Sequence, residues 1–265
     1  MIKEIFETLN RQGKKALVPY VTAGDPNIEK TYEIIDFFSE NGADLIELGV
    51  PFSDPLADGP VIQRAMERAI RSGTNLPKIF DLVREFRKKN STPIILMGYM
   101  NPFYSYGFEK MLDEAKMSGV DGILCVDLPF EEAKEFSGLV RNRGLDFIFL
   151  VSPLSNENRI RGIMKHATGF LYFVSVTGVT GERENLPEDI KKVLVSLKSI
   201  SRMPVALGFG ISGASTIDQF WEYVDGFVVG SALIRRLEDV LFDTNSPIFR
   251  DFFFELHSAC HKMKA

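Results

Sequence analysis

The feature that most constrains this chain is a repeated alternation of short apolar runs with longer amphipathic segments. Eight runs of strand length, rich in aliphatic residues and phenylalanine, fall at residues 16–22, 44–50, 93–99, 121–127, 146–151, 170–175, 204–209 and 225–230. Helical patterns lie at residues 29–41, 76–90, 108–118, 131–143, 157–166, 186–199, 214–222, 232–239 and 247–262. Strands that alternate with helices indicate βαβ units and therefore a parallel sheet.

Eight such units favour a closed α/β barrel, the (β/α)8 or TIM barrel. The chain has 265 residues, and this fold typically needs about 250. The alternative is an open doubly wound sheet, but no G-x-G-x-x-G follows the first strand, where a dinucleotide-binding sheet would have it. A further amphipathic helix precedes the first strand, with an apolar face of Ile2, Ile5, Phe6 and Leu9. We therefore expect one domain over residues 1–265 with an extra N-terminal helix.

Charge and cysteine content disfavour several classes of function. The formal net charge of −5 disfavours a nucleic-acid partner, which usually binds a basic face. No apolar run approaches the roughly 20 residues needed to span a bilayer. Cys125 and Cys260 form no metal-binding or disulfide pattern, and Cys125 lies in an apolar run typical of the core. These features predict a cytoplasmic protein with a small-molecule substrate and no bound metal.

The function of such a barrel lies in the loops at the carboxyl ends of its strands. Segments rich in polar residues, glycine and proline follow six of the predicted strands: TAGDPN, PFSDPLADGP, GYMNPF, SVTGVTGERENLP, GFGIS and VGSAL. The connections at the opposite end, such as NGAD and RNRGLD, resemble short turns and helix caps. The functional face is therefore expected at the carboxyl ends.

Three glycine clusters predict a phosphate site on this face. They lie at residues 178–181, 208–212 and 230–231, after the last three strands. Glycine lets backbone N–H groups approach an anion, and barrels often bind phosphate after strands seven and eight. Ser231 would add a hydroxyl and begin the next helix. Because no lysine or arginine lies in the clusters, backbone amides and the helix dipole are expected to bind the anion; the alternative is that the glycines only form tight turns.

Two carboxylates are candidate catalytic groups. Alternation along the second strand places Ile46 and Leu48 on one face and Glu47 on the other, so Glu47 points into the barrel if its neighbours face the helices. Burial would raise the pKa of Glu47 and suit it to proton transfer near neutral pH. Asp58 follows on the next loop, above the barrel mouth. The alternatives are a structural Glu47 bonded to a neighbouring polar group, and an Asp58 that serves only a turn.

Apolar side chains at the strand ends would complete a pocket. Each of them alone is typical of core packing, but together they suit a flat aromatic substrate beside a phosphate; they are Tyr20, Met97, Tyr99, Leu124, Tyr172 and Phe209. Asp127, at the end of the fourth strand, is a further polar candidate.

The motifs resemble those of a known family. Residues 45–63, LIELGVPFSDPLADGPVIQ, resemble the signature of the tryptophan synthase alpha subunit family. VPYVTAGDP at 18–26, GYMNPF at 98–103, VTGVTG at 176–181 and GFGIS at 208–212 resemble the family's other motifs, in the same order and with compatible spacing. The resemblance extends over nearly the whole chain. One difference is Val176, where some members have arginine.

The resemblance implies a reaction, the retro-aldol cleavage of indole-3-glycerol phosphate to indole and glyceraldehyde 3-phosphate. By resemblance, Glu47 is the acid and base, and Asp58 binds the indole N–H and stabilises the positively charged intermediate. The implied phosphate contacts are Gly181, Gly210, Gly230 and Ser231. The implied indole pocket is lined by Tyr20, Ile62, Met97, Leu124 and Phe209. Tyr172, beside the two carboxylates, and Thr180 are further implied substrate contacts.

The resemblance also implies a partner. The family works as a tetramer of two alpha and two beta chains, in which the beta subunit binds pyridoxal phosphate and receives the indole; this chain would need no cofactor. The loops at residues 52–60 and 177–187 resemble the family's partner-sensing loops. One alternative is a regulatory subunit without chemistry of its own, which the presence of both Glu47 and Asp58 disfavours. Another is a different sugar-phosphate enzyme, but a Schiff-base aldolase needs a strand lysine, and the eight runs contain none.

Overall fold

The computed structural model describes residues 1–174, 186–208 and 210–262, with only the backbone described at residues 186 and 187. Its strands are β1 Ala16–Thr22, β2 Ile46–Gly49, β3 Ile94–Gly98, β4 Gly122–Cys125, β5 Asp146–Val151, β6 Leu171–Phe173, β7 Val205–Gly208 and β8 Gly226–Val229. Its helices are α1 Ile2–Arg11, α2 Ile28–Glu40, α3 Pro60–Arg71, α4 Leu76–Phe86, α5 Met100–Tyr106, α6 Phe108–Ser118, α7 Lys134–Asn142, α8 Glu157–Ile163, α9 Leu186–Ile200, α10 Ala214–Phe220, α11 Ser231–Asp239 and α12 Pro247–His261.

The eight strands form a closed barrel in sequence order, and every neighbouring pair is parallel. The predicted (β/α)8 barrel is therefore confirmed, and the open sheet is wrong. The strands β1 and β5 have the predicted bounds, and the others are shorter than predicted by a few residues. Strand ends are the least certain part of a sequence pattern, because pairing ends where the barrel opens and not where the apolar run does.

The apolar core has two layers, and β2 contributes to both. Ile46 and Leu48 pack outward into the layer between the strands and the helices. Leu45 packs inward into the layer inside the barrel. Because side chains alternate along a strand, Glu47 turns inward with Leu45, as the sequence predicts. Its register partners on the adjacent strands are Tyr20 and Ile95.

The predicted N-terminal helix is present as α1, and it closes the amino end of the barrel. Ile2 and Phe6 are fully buried and belong to the inner layer of the core. The Phe6 ring lies 5.1 Å, centroid to centroid, from the ring of Phe170. A Cβ at Gly226 would come within 2.8 Å of Phe6 Cε1, so a glycine on β8 makes room for the Phe6 ring.

The sequence after β2 and β3 predicts loops, but the structure has the helices α3 and α5 there. Pro60 begins α3 after Gly59, and proline suits the first turn because its missing N–H needs no partner there. A remote side chain caps α5: the Met100 N–H donates to Asp127 Oδ1 at 2.7 Å. Because Asp127 follows a different strand, nothing in the local sequence around α5 indicates this cap. Asp127 therefore has a structural role.

Cys125 is buried, as predicted.

An ion-pair cluster at the top of the barrel joins α3, α11 and the loop after β1. Arg68 Nε and Nη2 donate to the two carboxylate oxygens of Asp25 at 2.6 and 2.8 Å. Arg68 Nη1 lies 2.7 Å from Glu238 Oε1 on α11. This cluster fixes α3, which follows Asp58, against α11, which begins at Ser231.

In the described ranges, no helix is long and apolar enough to cross a membrane.

Candidate active site

A cavity of about 410 Å³ opens at the carboxyl ends of the strands. Most of the predicted site residues line it: Tyr20, Glu47, Asp58, Ile62, Met97, Tyr172, Gly210, Gly230 and Ser231. Leu124 is not on the cavity wall, because it is fully buried in the inner core beside its register partner Met97. Thr180, Gly181 and Phe209 lie outside the described residues, as does Val176.

Glu47 is buried in this cavity with 1% of its surface exposed. Neither carboxylate oxygen has a hydrogen-bond partner among the described residues. Burial raises the pKa of Glu47 to about 8, and repulsion from Asp58 acts in the same direction. An acid of this kind holds its proton at neutral pH and can donate it. The alternative of a structural Glu47 bonded to a neighbour finds no support in the described part of the chain.

Asp58 occupies the same cavity in a polar setting. The Tyr99 hydroxyl donates to Asp58 Oδ2 at 2.6 Å, and it accepts from the Ala57 N–H at 3.1 Å. Burial raises the pKa of Asp58, while the hydrogen bond from Tyr99 favours the charged form and opposes the shift. Gln63 Nε2 donates to the backbone oxygen of Asp58 at 2.8 Å, which ties the loop to the first turn of α3. Asp58 therefore does more than form a turn, because hydrogen bonds fix both its side chain and its backbone.

The contact between Tyr99 and Asp58 was missed in the sequence. Tyr99 was predicted as a wall of the pocket, but its ring is buried beside the cavity and its hydroxyl orients a carboxylate. The two residues are 41 positions apart. Only the adjacency of β2 and β3 in the barrel could have indicated that the segments following these strands meet.

Two strand-end glycines make room for tyrosines at the cavity floor. A Cβ on Gly49 would lie 2.2 Å from Tyr20 Oη, and a Cβ on Gly208 would lie 2.2 Å from Tyr172 Oη. Burial raises the pKa of both tyrosines well above the ordinary value. The hydroxyls therefore stay neutral, and both tyrosines line the cavity together with Glu47.

The other end of the cavity suits an anion. The helix α11 begins at Ser231 after Gly230, and both residues line the cavity. Gly210, which has a positive φ of 74°, also lines the cavity, as does Ser212. A helix N-terminus presents unpaired N–H groups and a partial positive charge to such an anion. The sequence analysis also missed Arg235, which lies on the cavity wall one helical turn after Ser231.

This arrangement defines a class of protein, a barrel enzyme that moves protons on a small substrate with an apolar part and an anionic part. Two carboxyls in different settings serve the apolar end, and a helix N-terminus serves the anionic end. Among the described residues, no group of three or more histidine, cysteine, aspartate or glutamate side chains could hold a metal ion.

Comparisons with known proteins identify the family. A family model described as Tryptophan synthase alpha chain matches residues 6–258. The tryptophan synthase alpha chain of Geobacter sulfurreducens is 48% identical over 233 residues, 88% of each chain, and that of Geotalea daltonii is 48% identical over 237 residues, 89% of this chain and 90% of the relative. The chain belongs to the tryptophan synthase alpha chain family, a family of carbon–carbon lyases.

Solved structures agree with this assignment. The tryptophan synthase subunit alpha of Legionella pneumophila superposes with a TM-score of 0.90 at 38% identity, covering 98% of this chain and 97% of that one. A chain of the tryptophan synthase a2b2 complex of Pyrococcus furiosus superposes with a TM-score of 0.86 at 42% identity, covering 92% and 99%.

Tyr99→Phe tests the hydroxyl that orients Asp58. Loss of a hydrogen bond to a charged group is expected to lower kcat for indole-3-glycerol phosphate cleavage about tenfold. It should also raise the pKa of Asp58, so the acid limb of the pH–rate profile moves to higher pH. The matched control is Tyr106→Phe, which removes a 2.8 Å bond to Glu114 away from the cavity. An unchanged kcat and acid limb in Tyr99→Phe would contradict this role.

Glu47→Gln tests the burial of the acid through stability. The unfolded chain ionises Glu47 near its ordinary pKa of 4.5, but the folded chain does so only near 8. Between these values folding takes up a proton, so the wild type loses roughly 1.4 kcal/mol of stability per pH unit. In denaturant unfolding, the free energy of unfolding of Glu47→Gln should therefore rise relative to that of the wild type from pH 5 to about 8.

The control for the stability measurement is Glu33→Gln, at a carboxylate that pairs with Lys30 on the surface of α2. Its stability difference from the wild type should stay nearly constant over the same pH range. A constant difference for Glu47→Gln as well would mean that Glu47 ionises normally in the folded protein.

Proposed function

We propose that this chain is the alpha subunit of tryptophan synthase and catalyses the retro-aldol cleavage of indole-3-glycerol phosphate in tryptophan biosynthesis. The products are indole and glyceraldehyde 3-phosphate. The observation that supports the proposal most directly is the pair Glu47 and Asp58, two buried carboxyls in one cavity whose other end is the N-terminus of α11.

Glu47 carries the proton. Its pKa of about 8 keeps it protonated at neutral pH, so it can donate to indole C3, which leaves a positive charge on the ring nitrogen. The resulting Glu47 carboxylate accepts the proton of the hydroxyl on the carbon attached to C3. That hydroxyl becomes the aldehyde carbonyl, the carbon–carbon bond breaks, and its electron pair returns to the ring as indole forms. Glu47 ends with its proton restored.

Asp58 stabilises the intermediate. A carboxylate that accepts the indole N–H interacts most strongly when the ring is positively charged, and a preorganised charge of this kind lowers the barrier. The Tyr99 hydroxyl at 2.6 Å fixes one oxygen of Asp58 and favours its charged form. The two carboxyls thus have different roles: Glu47 begins the reaction protonated and donates a proton, while Asp58 begins it ionised and stabilises the positive charge.

The remaining contacts hold the two ends of the substrate. Gly210, Gly230 and Ser231 line the anionic end and would bind the phosphate; Gly181 is proposed with them from the family motif. The indole would lie among Tyr20, Ile62, Met97 and Tyr172, which line the apolar end. Thr180, Phe209 and Leu124 are proposed from the resemblance alone.

The proposal includes a beta-subunit partner. The Pyrococcus furiosus relative is part of an a2b2 complex, and an alpha-beta tetramer of this kind is proposed for this chain. An exposed groove supports a docking surface beside the cavity, lined by Phe52, Pro55, Leu56, Pro60 and Ile70 together with polar neighbours. Leu56 is 92% exposed. Pyridoxal phosphate would belong to the beta subunit, and the alpha reaction needs none.

The same proposal assigns the chain to one barrel domain and to the cytoplasm. The eight strands form one closed barrel with α1 packed into its amino end. A Schiff-base aldolase finds no support, because the described residues of the cavity wall include no lysine.

A cleavage assay tests the proposal. Indole release from indole-3-glycerol phosphate is measured with the wild type, with Glu47→Gln and with the surface control Glu33→Gln, each alone and with the beta subunit. Wild type and Glu33→Gln should release indole, and faster when the partner is present. Glu47→Gln should release none, yet still increase the partner's synthesis of tryptophan from indole and serine.

Each alternative has its own outcome in this assay. Normal cleavage by Glu47→Gln would show that the proton carrier is another group. Activation of the partner without any indole release by the wild type would indicate a regulatory subunit that has no chemistry of its own.

A further inference from the structure

A basic side chain lies at the anionic end of the cavity, although the glycine clusters contain none. Arg235 lines the cavity together with Gly210, Ser212 and Ser231. It follows Ser231 by four residues on α11, so the two side chains occupy one face of the helix. Helical side chains lean toward the N-terminus of their helix, which directs Arg235 back toward the first turn and its free N–H groups.

Arg235 differs from its neighbour in what it contacts. Arg236 lies over the ring of Phe252 at 5.1 Å and pairs with Asp239 at 3.8 Å. Arg235 has no ion pair and no hydrogen bond with any residue in the described ranges, and its side chain is exposed. A guanidinium that is not committed within the protein can bind a ligand at little cost in lost contacts.

The charges on the cavity wall explain why an anion needs this group. Glu47, Asp58 and Asp239 all line the cavity, and each carboxylate that is ionised repels a phosphate dianion. Arg236 lines the cavity too, but it pairs with Asp239. Backbone amides and the helix dipole supply only partial charges. An arginine supplies a full charge and a planar fork that matches two phosphate oxygens.

We propose that Arg235 is a specificity-determining residue that binds the phosphate of the substrate, a phosphomonoester dianion. The inference rests on the proposed function and adds a residue to its phosphate site. Because the phosphate is remote from the reacting bond, the contact is the same in the ground state and the transition state. It therefore acts on KM and leaves kcat unchanged.

The test compares Arg235→Met and Arg235→Lys with Arg202→Met in the complex with the beta subunit. Arg202 is exposed on the connection before β7, at the opposite end of the barrel from the cavity, so its replacement matches the change in charge. Arg235→Met should raise KM for indole-3-glycerol phosphate about threefold to tenfold with kcat within about twofold, the effect of a partly exposed charged contact. Arg235→Lys should recover part of the loss, and Arg202→Met should resemble the wild type.

Two further measurements locate the effect at the phosphate. With indoleglycerol, which lacks the phosphate, wild type and Arg235→Met should have equal kcat/KM. Binding of sn-glycerol 3-phosphate, followed by ³¹P NMR, should weaken in Arg235→Met by about the same factor as KM rises. Arg235 would have no such role if KM and phosphate-ester binding were unchanged, or if the loss were equal with indoleglycerol.

The binding measurement also separates this inference from the proposed function. A wild type that releases no indole would overturn the lyase assignment, while phosphate-ester binding would still decide whether Arg235 contacts the anion. Cleavage by the wild type with no effect of Arg235→Met on KM or binding would overturn the inference about Arg235 alone.

Discussion

Burial of Glu47 without a hydrogen-bond partner in the described structure is the constraint on which the rest of the site depends. A lone carboxylate inside a barrel is costly, and the group avoids most of that cost by keeping its proton up to about pH 8. Tyr20 and Tyr172 line the cavity with it, and Gly49 and Gly208 leave space for their hydroxyls. The raised pKa of Glu47 therefore comes mainly from burial, and repulsion from Asp58 adds to it.

The second carboxyl, Asp58, lies in the same cavity in a different environment. Asp58 lies on a loop that is fixed by Gln63 and by the Tyr99 hydroxyl, which offers a proton to its charged form. Glu47 has no such donor in the described ranges. Repulsion from Asp58 raises the pKa of Glu47 further, because a charged Asp58 makes it harder for Glu47 to ionise. A buried acid beside a carboxyl whose charged form receives a hydrogen bond suits protonation of a ring carbon followed by stabilisation of a cation.

Much of this was readable in the sequence, because alternation in β2 places Glu47 inward and the motif at residues 45–63 places Asp58 above it. What the sequence could not show depends on three-dimensional neighbours. The remote cap of α5 by Asp127 and the bond from Tyr99 to Asp58 join segments that meet only in the closed barrel. Arg235 differs from these contacts, because its position one helical turn after Ser231 is visible in the sequence, although it lies outside the glycine clusters.

The role of Glu47 as a buried acid is tested most directly by a ¹³C NMR titration of its carboxyl carbon, whose signal is identified by its absence in Glu47→Gln. The carboxyl should titrate with a midpoint near pH 8 in the folded protein. A midpoint close to the ordinary glutamate value of 4.5 would contradict it, because Glu47 would then be ionised at neutral pH and would have no proton to give to the indole ring.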